Sequence, residues 1–245
     1  MTCRSVVSLV PSLTEAVAVT APGLLTGATD WCSHPPGLDV TRVRGTKNPD
    51  VAAVIRLAPD LVLANEEENR PGDLDALRAA GLRVMVTEVR SLDQGFAELG
   101  RVLTEGCGLR RPDWLDEAEE AWRRARRRHA GRDVRAVVPV WRRPWMVLGR
   151  DTFAGDLLAA LGVRNVHAAH TERYPRIPAD RLAAPGLADV VVLPDEPYPF
   201  AADDGPETFP GTPAALVSGR HLTWYGPSLV EAPHVIGEAL AAALR

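Results

Sequence analysis

The sequence predicts an α/β protein of two lobes, each built on a parallel sheet, bridged by one long α-helix. Three observations carry that prediction. Short apolar runs alternate with helical segments through both halves, at the spacing right-handed βαβ units require. One uninterrupted helical pattern over residues 112–130 separates the halves. The segments LAPDLVLANEE (57–67) and GLADVVVLPDE (186–196) occupy equivalent places in the two halves, a weak internal repeat.

In chain order, residues 5–10 (SVVSLV) read as a buried strand, followed after Pro11 by a helix that Ser12 and Glu15 would cap as a capping box. Residues 24–28 form a second strand running into the loop ATDWCSHPPG (28–37). Asn48 and Pro49 are expected as N-cap and first residue of a helix that reaches Leu57. Residues 61–64 are a strand, 73–80 a helix that Gly81 ends, 83–89 a strand, and Ser91 opens a helix to about residue 103. The helix over 112–130 has its acids early and its arginines late, which complements the helix dipole. At 1.5 Å per residue it is about 27 Å long, enough to cross one face of a domain. In the second half, 135–140 and 145–148 are strand candidates and 152–161 is a helix closed by Gly162. A short strand at 165–167, a helix at 178–183, strands at 189–193 and 222–225, and a closing helix at 230–244 complete the chain. The predicted organisation is therefore a first lobe over 1–108, a linker helix over 109–131 and a second lobe over 132–245.

Composition narrows the function classes. A chain of 245 residues, 46% hydrophobic and 24% charged, has the make-up of an ordinary globular protein with a sizeable core. A net charge of −4 offers no global attraction for nucleic acid or anionic membrane. No apolar run approaches the roughly 20 residues of a membrane span, so no membrane insertion is expected. Three scattered cysteines without CxxC spacing suit a reducing compartment better than a disulfide framework. The first residues lack a signal-peptide pattern, and the expected address is cytoplasmic.

In open parallel α/β sheets, ligands bind beyond the carboxyl ends of the strands. Four of the six tryptophans (Trp31, Trp141, Trp145 and Trp224) fall in or beside the loops at those ends, with Tyr198, Phe200 and Tyr225. Only 5% of residues are aromatic, so this placement points to a cleft for a large, flat, partly apolar ligand. The ordinary reading of each ring taken singly is a loop sealed over the core.

Cys32 and His34 lie two apart and would point the same way in an extended loop. A bare-ion site needs three or four protein ligands, and no second cluster accompanies them, so no dedicated protein-bound metal is expected. His34 then either touches a metal carried by the ligand or serves as a polar wall stiffened by Pro35 and Pro36. His167 and His170 have metal-like spacing, but their expected role is at the surface or the mouth of the second lobe. His221 precedes Trp224 and could reach the cleft. The run Glu66, Glu67, Glu68 is either a solvated loop or a holder of cations and amide-bearing ligand edges. The arginines of 123–128 lack interleaved aromatics or a reading motif, and solvate the helix rather than bind nucleic acid. Ser12, at a helix N-terminus, is a plain cap or an anion contact. No GxSxG, P-loop, HExxH or GxGxxG at a first βα turn occurs, so no enzyme activity is expected.

The segments RSVVSLVPSLTEAVAV, GATDWCSHPP, NPDVAAVIRLAPDLVLANEEEN and LRVMVTEVRSLDQ resemble the cobalamin-binding substrate-binding proteins of ABC importers. These belong to the helical-backbone metal receptor superfamily, the class III periplasmic binding proteins, with siderophore- and haem-binding members. VLGRDTFAGDLLAALGVRNV and LADVVVLPDEPYPF extend the resemblance through the second lobe. It implies two Rossmann-like lobes held by a rigid helix, with a metal-chelate ligand in the interlobe cleft. By position, the family's loop aromatic corresponds to Trp31, the residue before the proline pair to His34, and the last strand-end aromatic to Trp224. Asn65 stands where some cobalamin binders carry an aromatic.

Two departures bear on role. Family members act outside the cytoplasmic membrane and carry a leader, a pattern missing here. Their permease docking uses one exposed acid on each lobe, and the second-lobe position, near Gly226, has none; permease docking is therefore not expected. The function implied is non-enzymatic binding of a corrinoid, as a carrier or sensor. Trp31, His34, Trp141, Trp145, Tyr198, Phe200, Trp224 and Tyr225 would wall the cleft, and Asn65, Glu66 and His221 would bond the ligand's polar fringe. An iron-siderophore or haem binder is the alternative within the class. An enzyme that modifies or delivers a corrinoid, or a sensor using the 66–68 surface, are the alternatives outside it.

Overall fold

A computed structural model describes residues 3–245 and divides the chain into two units. The first takes the chain up to Val89, then Asp93–Asp116 and Tyr225–Pro227; the second takes Arg90–Leu92, Glu117–Trp224 and Ser228–Arg245. The helix Asp113–Arg128 carries the division within it, after Asp116.

The first unit is built on five parallel strands in the order Thr41–Arg42, Leu25–Ala28, Val6–Ser8, Leu61–Asn65, Val84–Thr87. Val6–Ser8 and Leu61–Asn65 are buried along their whole length, as strands covered on both faces must be, and their near-continuous apolar sequence is the cause. Val7, Leu9, Val54, Val62, Leu74 and Leu77 form one buried cluster against which the helices Val51–Leu57 and Pro71–Ala79 pack. The latter ends in a Schellman motif: Gly81 N–H donates to Arg78 O at 2.9 Å and Leu82 N–H to Leu77 O at 3.2 Å.

The second unit has four parallel strands in the order Val163–Asn165, Val134–Val137, Val190–Pro194, Ala214–Val217. The helix Phe153–Ala160 leads into its first edge strand and the helix Ala232–Ala243 packs on its last. In both sheets the chain leaves the first strand to one side and later returns on the other. That reversal is the topological switch point where open α/β sheets bind ligands. It lies between Val6–Ser8 and Leu61–Asn65 in the first unit, and between Val134–Val137 and Val190–Pro194 in the second. The two repeated segments supply the returning strand in each case.

Several expectations are corrected. Pro11 takes the first helical position of Pro11–Thr20, so Val10 is the N-cap and no side chain caps the helix; Ser12 and Glu15 are buried. Asn48–Pro49 pairs antiparallel with Arg44–Gly45, and Asp50 caps the next helix instead, its carboxylate accepting from Ala53 N–H at 2.9 Å. The second-half runs 135–140 and 145–148 hold a sheet strand and an antiparallel hairpin, Pro139–Trp141 with Met146–Val147. The short strand is Val163–Asn165, with His167 in the turn beyond it. Residues 222–225 are not a strand: Gly219–Thr223 is a helical turn, and the sheet is completed by Ala214–Val217.

Candidate ligand-binding loops

In the first unit the loop after Leu25–Ala28 is held from beneath. Arg42 donates to Thr29 O at 2.9 Å and to Cys32 O at 3.0 Å, pinning the loop to the edge strand. The Cys32 thiol is buried and bonded to Thr14 Oγ1 at 3.0 Å and Thr29 Oγ1 at 3.2 Å; burial pushes its pKa up. Cys32 is thus an anchor. Trp31, one residue earlier, is 68% exposed, the most exposed large hydrophobic among the described residues. His34 is half-buried, with Nδ1 3.1 Å from Ser33 Oγ.

Beyond Leu61–Asn65 lies a polar network. Asn65 is buried: its Oδ1 accepts from Glu67 N–H at 2.9 Å, and its Nδ2 donates to the Thr87 carbonyl and hydroxyl, each at 3.1 Å. Asn69 accepts from Asn65 N–H at 2.9 Å and donates to Thr46 O at 2.9 Å and Leu9 O at 3.4 Å. Thr87 continues the network to the Tyr225 hydroxyl at 3.0 Å. Tyr225 is buried, and burial pushes the pKa of its hydroxyl up. Asn65 and Tyr225 therefore act inside the first unit, where their polar atoms are committed to the protein.

The acidic run divides. Glu66 is exposed, whereas Glu68 is half-buried and bonded to Thr46. Burial raises the Glu68 pKa, Lys47 opposes the rise and Glu67 adds to it. Lys47 itself donates to the Glu67 carbonyl. A uniformly solvated loop is therefore not what forms.

In the second unit the hairpin turn and the loop after Val190–Pro194 make an aromatic cluster. Trp145 stacks on Phe200 (centroids 5.8 Å, planes 11° apart) and meets Phe209 edge-on at 5.6 Å. Tyr198 lies 4.7 Å from Phe200 and meets Trp141 edge-on at 5.7 Å. Phe200 is buried in the core, Trp145 and Tyr198 are half-buried, and Trp141 is 42% exposed. Arg142 braces the cluster. Its guanidinium sits 5.3 Å over the Trp145 ring, pairs with Asp204, and reaches Glu207 at 2.5 Å. The Tyr198 hydroxyl donates to Asp204 at 2.6 Å.

His221 is bound on both nitrogens, by Ser218 Oγ at 2.8 Å and by Glu231 at 2.9 Å. The bond from His221 and the nearby Arg220 hold the Glu231 carboxyl below its usual range. Trp224 is buried. His167 is half-buried, its pKa lowered by burial and by His170. Asn69, Thr87, Arg142 and Asp204 were not anticipated. For Asn69, Thr87 and Arg142 the readable signal is position, at or within five residues of a strand end; Asp204, ten residues past Val190–Pro194, carries no such signal.

Two parallel-sheet units, each with aromatic side chains at its strand-end loops, are the architecture of a solute-binding protein. The chain belongs to the periplasmic binding protein family, whose pattern matches residues 6–203. It is 22% identical over 188 residues to the vitamin B12-binding protein of Pectobacterium carotovorum, covering 73% of this chain and 67% of that one. The vitamin B12-binding protein of Vibrio cholerae is likewise 22% identical, over 184 residues and 66% of its length. The chain thus spans about two thirds of the curated relatives it matches. Among solved structures, the periplasmic vitamin B12-binding protein BtuF of V. cholerae aligns with a TM-score of 0.77 at 16% identity, over 99% of this chain and 98% of that one. The periplasmic heme-binding protein BhuT, in complex with two hemes, aligns at 0.81 and 23% identity over both full chains. These likenesses establish the fold. Among the described residues, no helix is long and apolar enough to cross a membrane.

Proposed function

We propose that this protein binds a corrinoid, non-enzymatically, at the carboxyl-end loops that present Trp31 in the first unit and Trp141 in the second. The observation that carries the reading is the exposure of these two indoles on loops otherwise locked to the protein. An exposed tryptophan on a braced loop offers a large apolar face at little ordering cost. The curated relatives named as vitamin B12-binding proteins support the corrinoid as ligand. His34 is the contact to a ligand-borne metal, its ring oriented through Nδ1 by Ser33, as the far nitrogen of a ligating histidine is commonly held. Trp145, Tyr198 and Glu66 complete the contact set, while Asn65, Phe200, His221, Trp224 and Tyr225 support the loops from behind. The cytoplasmic address stays part of the proposal. Fractionation of the protein expressed from its own gene tests it, and recovery outside the cytoplasmic membrane replaces it with a role in import.

A second reading, haem or another iron chelate, is favoured by the heme-bound BhuT structure and by His34. One titration separates the two. Cyano-, hydroxo- and adenosylcobalamin, haem and ferric siderophores are added in turn while visible spectra and melting temperature are followed. A specific ligand at 100 times its Kd adds about 2.7 kcal/mol of stability. The proposal expects that gain with a corrinoid, and loss of the hydroxocobalamin spectral change in His34→Ala. A shift with haem alone establishes the second reading, and a modified corrinoid as product makes the protein an enzyme.

A further inference from the structure

The exposed indole of Trp31 does not stand clear of the protein. It lies by the hairpin that pairs Arg44–Gly45 with Asn48–Pro49. A Cβ built on Gly45 would lie 3.2 Å from Trp31 Nε1 and 2.5 Å from Asn48 Oδ1. The nitrogen edge of the ring therefore rests against the hairpin where a glycine leaves the space unfilled. We propose that Gly45 is the positioning residue for Trp31: its missing side chain seats the N–H edge of the indole on the hairpin, so that the ring offers a ligand its faces and its benzenoid edge. Trp31 as a ligand face is the reading given above, on which this role of Gly45 rests.

Backbone conformation does not call for a glycine at this position. Gly45 stays outside the left-handed region, whereas Arg44, one residue earlier, takes φ of +65° with a full side chain. A glycine demanded by the backbone would stand at 44. What position 45 needs is room, and the side-chain atoms that claim it belong to Trp31 and Asn48. An alanine methyl would press on both, and both side chains are exposed and able to swing away.

The hairpin itself is a fixed shelf. Asp30 N–H donates to Arg44 O at 2.8 Å, which ties the backbone beside Trp31 to it. Thr46, in the turn, is buried; its carbonyl accepts from Asn69 at 2.9 Å and its side chain bonds Glu68. Lys47 donates to the Glu67 carbonyl. The hairpin thus joins the loop of Trp31 to the loop beyond Leu61–Asn65. An indole already seated on such a shelf loses little freedom when a ligand arrives. With its N–H turned to the protein, Trp31 recognises by stacking and burial, and donates no hydrogen bond to the ligand.

The test is the indole N–H resonance of Trp31, followed by NMR in the whole protein and assigned by its loss in Trp31→Phe. Gly45→Ala should shift that resonance while the indole resonance of Trp141 stays in place. The same variant should bind cyanocobalamin about fivefold more weakly, because a gap of a fraction of an ångström forfeits much of a van der Waals contact. In a Trp31→Ala background it should add no further loss. Trp31→Phe should bind within about threefold of the parent, since a ring face is kept and the N–H is not used. Gly45→Ala combined with Asn48→Ala relieves the clash with Asn48 and leaves the one with Trp31, so the Trp31 resonance should still move. A Trp31 resonance unmoved in both variants overturns the proposal. So does a full additional loss of affinity in the Trp31→Ala background, or Trp31→Phe binding as weakly as Trp31→Ala. If the parent binds no corrinoid, the binding reading fails by itself, and the Trp31 resonance still decides whether Gly45 seats the ring.

Discussion

The two units solve the same problem at their strand ends with different chemistry. In the first, the switch point is closed by hydrogen bonds: Asn65, Asn69, Thr87 and Tyr225 link three strand-end loops and the returning chain. In the second, it is closed by stacked rings around Trp145 and Phe200, with Arg142 tying the hairpin to Asp204 and Glu207. A polar network fixes geometry sharply but leaves buried atoms exposed to loss of any one partner. An aromatic cluster spreads its stabilisation over area and tolerates single changes better, except where backbones meet closely. Each unit nevertheless presents one exposed indole, Trp31 on a braced loop and Trp141 on a braced hairpin.

The comparison can be broken most severely at Gly219. A Cβ there would lie 2.8 Å from both Glu196 N and O and 2.2 Å from its Cγ. Gly219→Ala should cost about 3 kcal/mol through backbone displacement, read as a fall in denaturation midpoint; a wild-type midpoint would mean the second unit's loops are not tightly closed. Asn69→Ala, in the first unit, should cost about 2–3 kcal/mol by leaving Asn65 N–H and two carbonyls unpaired. Amide exchange at Asn65 should accelerate in that variant and stay slow in the second unit. Tyr225→Phe removes one buried hydroxyl and should cost about 1 kcal/mol, again confined to the first unit by exchange.

The smallest effect is at Glu68, and its sign depends on pH. The folded-state pKa of Glu68 lies above the ordinary 4.5 because of burial. Its protonated form therefore favours the fold at pH below 4.5, and that advantage is lost as pH rises through the folded-state pKa. Glu68→Gln should accordingly be more stable than wild type at pH 7 and lose its advantage towards pH 4. A difference that does not change with pH would place the carboxylate in solvent.

Much of this was legible before the structure. Apolar strands flanked by caps and glycines placed the sheets, because buried parallel strands are nearly continuous apolar runs. The repeated segments at 57–67 and 186–196 marked the returning strands. What failed had physical causes. Ala214–Val217 is four residues without a period, and Leu222, Trp224 and Tyr225 carry strand-like side chains on a helical turn and its exit. Asn48–Pro49 matched a helix start in type, but Asp50 supplies the cap. Trp31 and Trp141 are exposed, the first in the loop after Leu25–Ala28 and the second at the end of the hairpin strand Pro139–Trp141. Tyr225 and Phe200 could not be sorted from them, because burial of a loop aromatic is decided by partners distant in sequence.

The most direct measurement is the affinity for cyanocobalamin of Trp31→Ala and Trp141→Ala, each at unchanged melting temperature. If both indoles are ligand faces, each variant should bind at least tenfold more weakly than the parent, in line with hot-spot aromatics. Parent-level affinity in both variants would contradict the account.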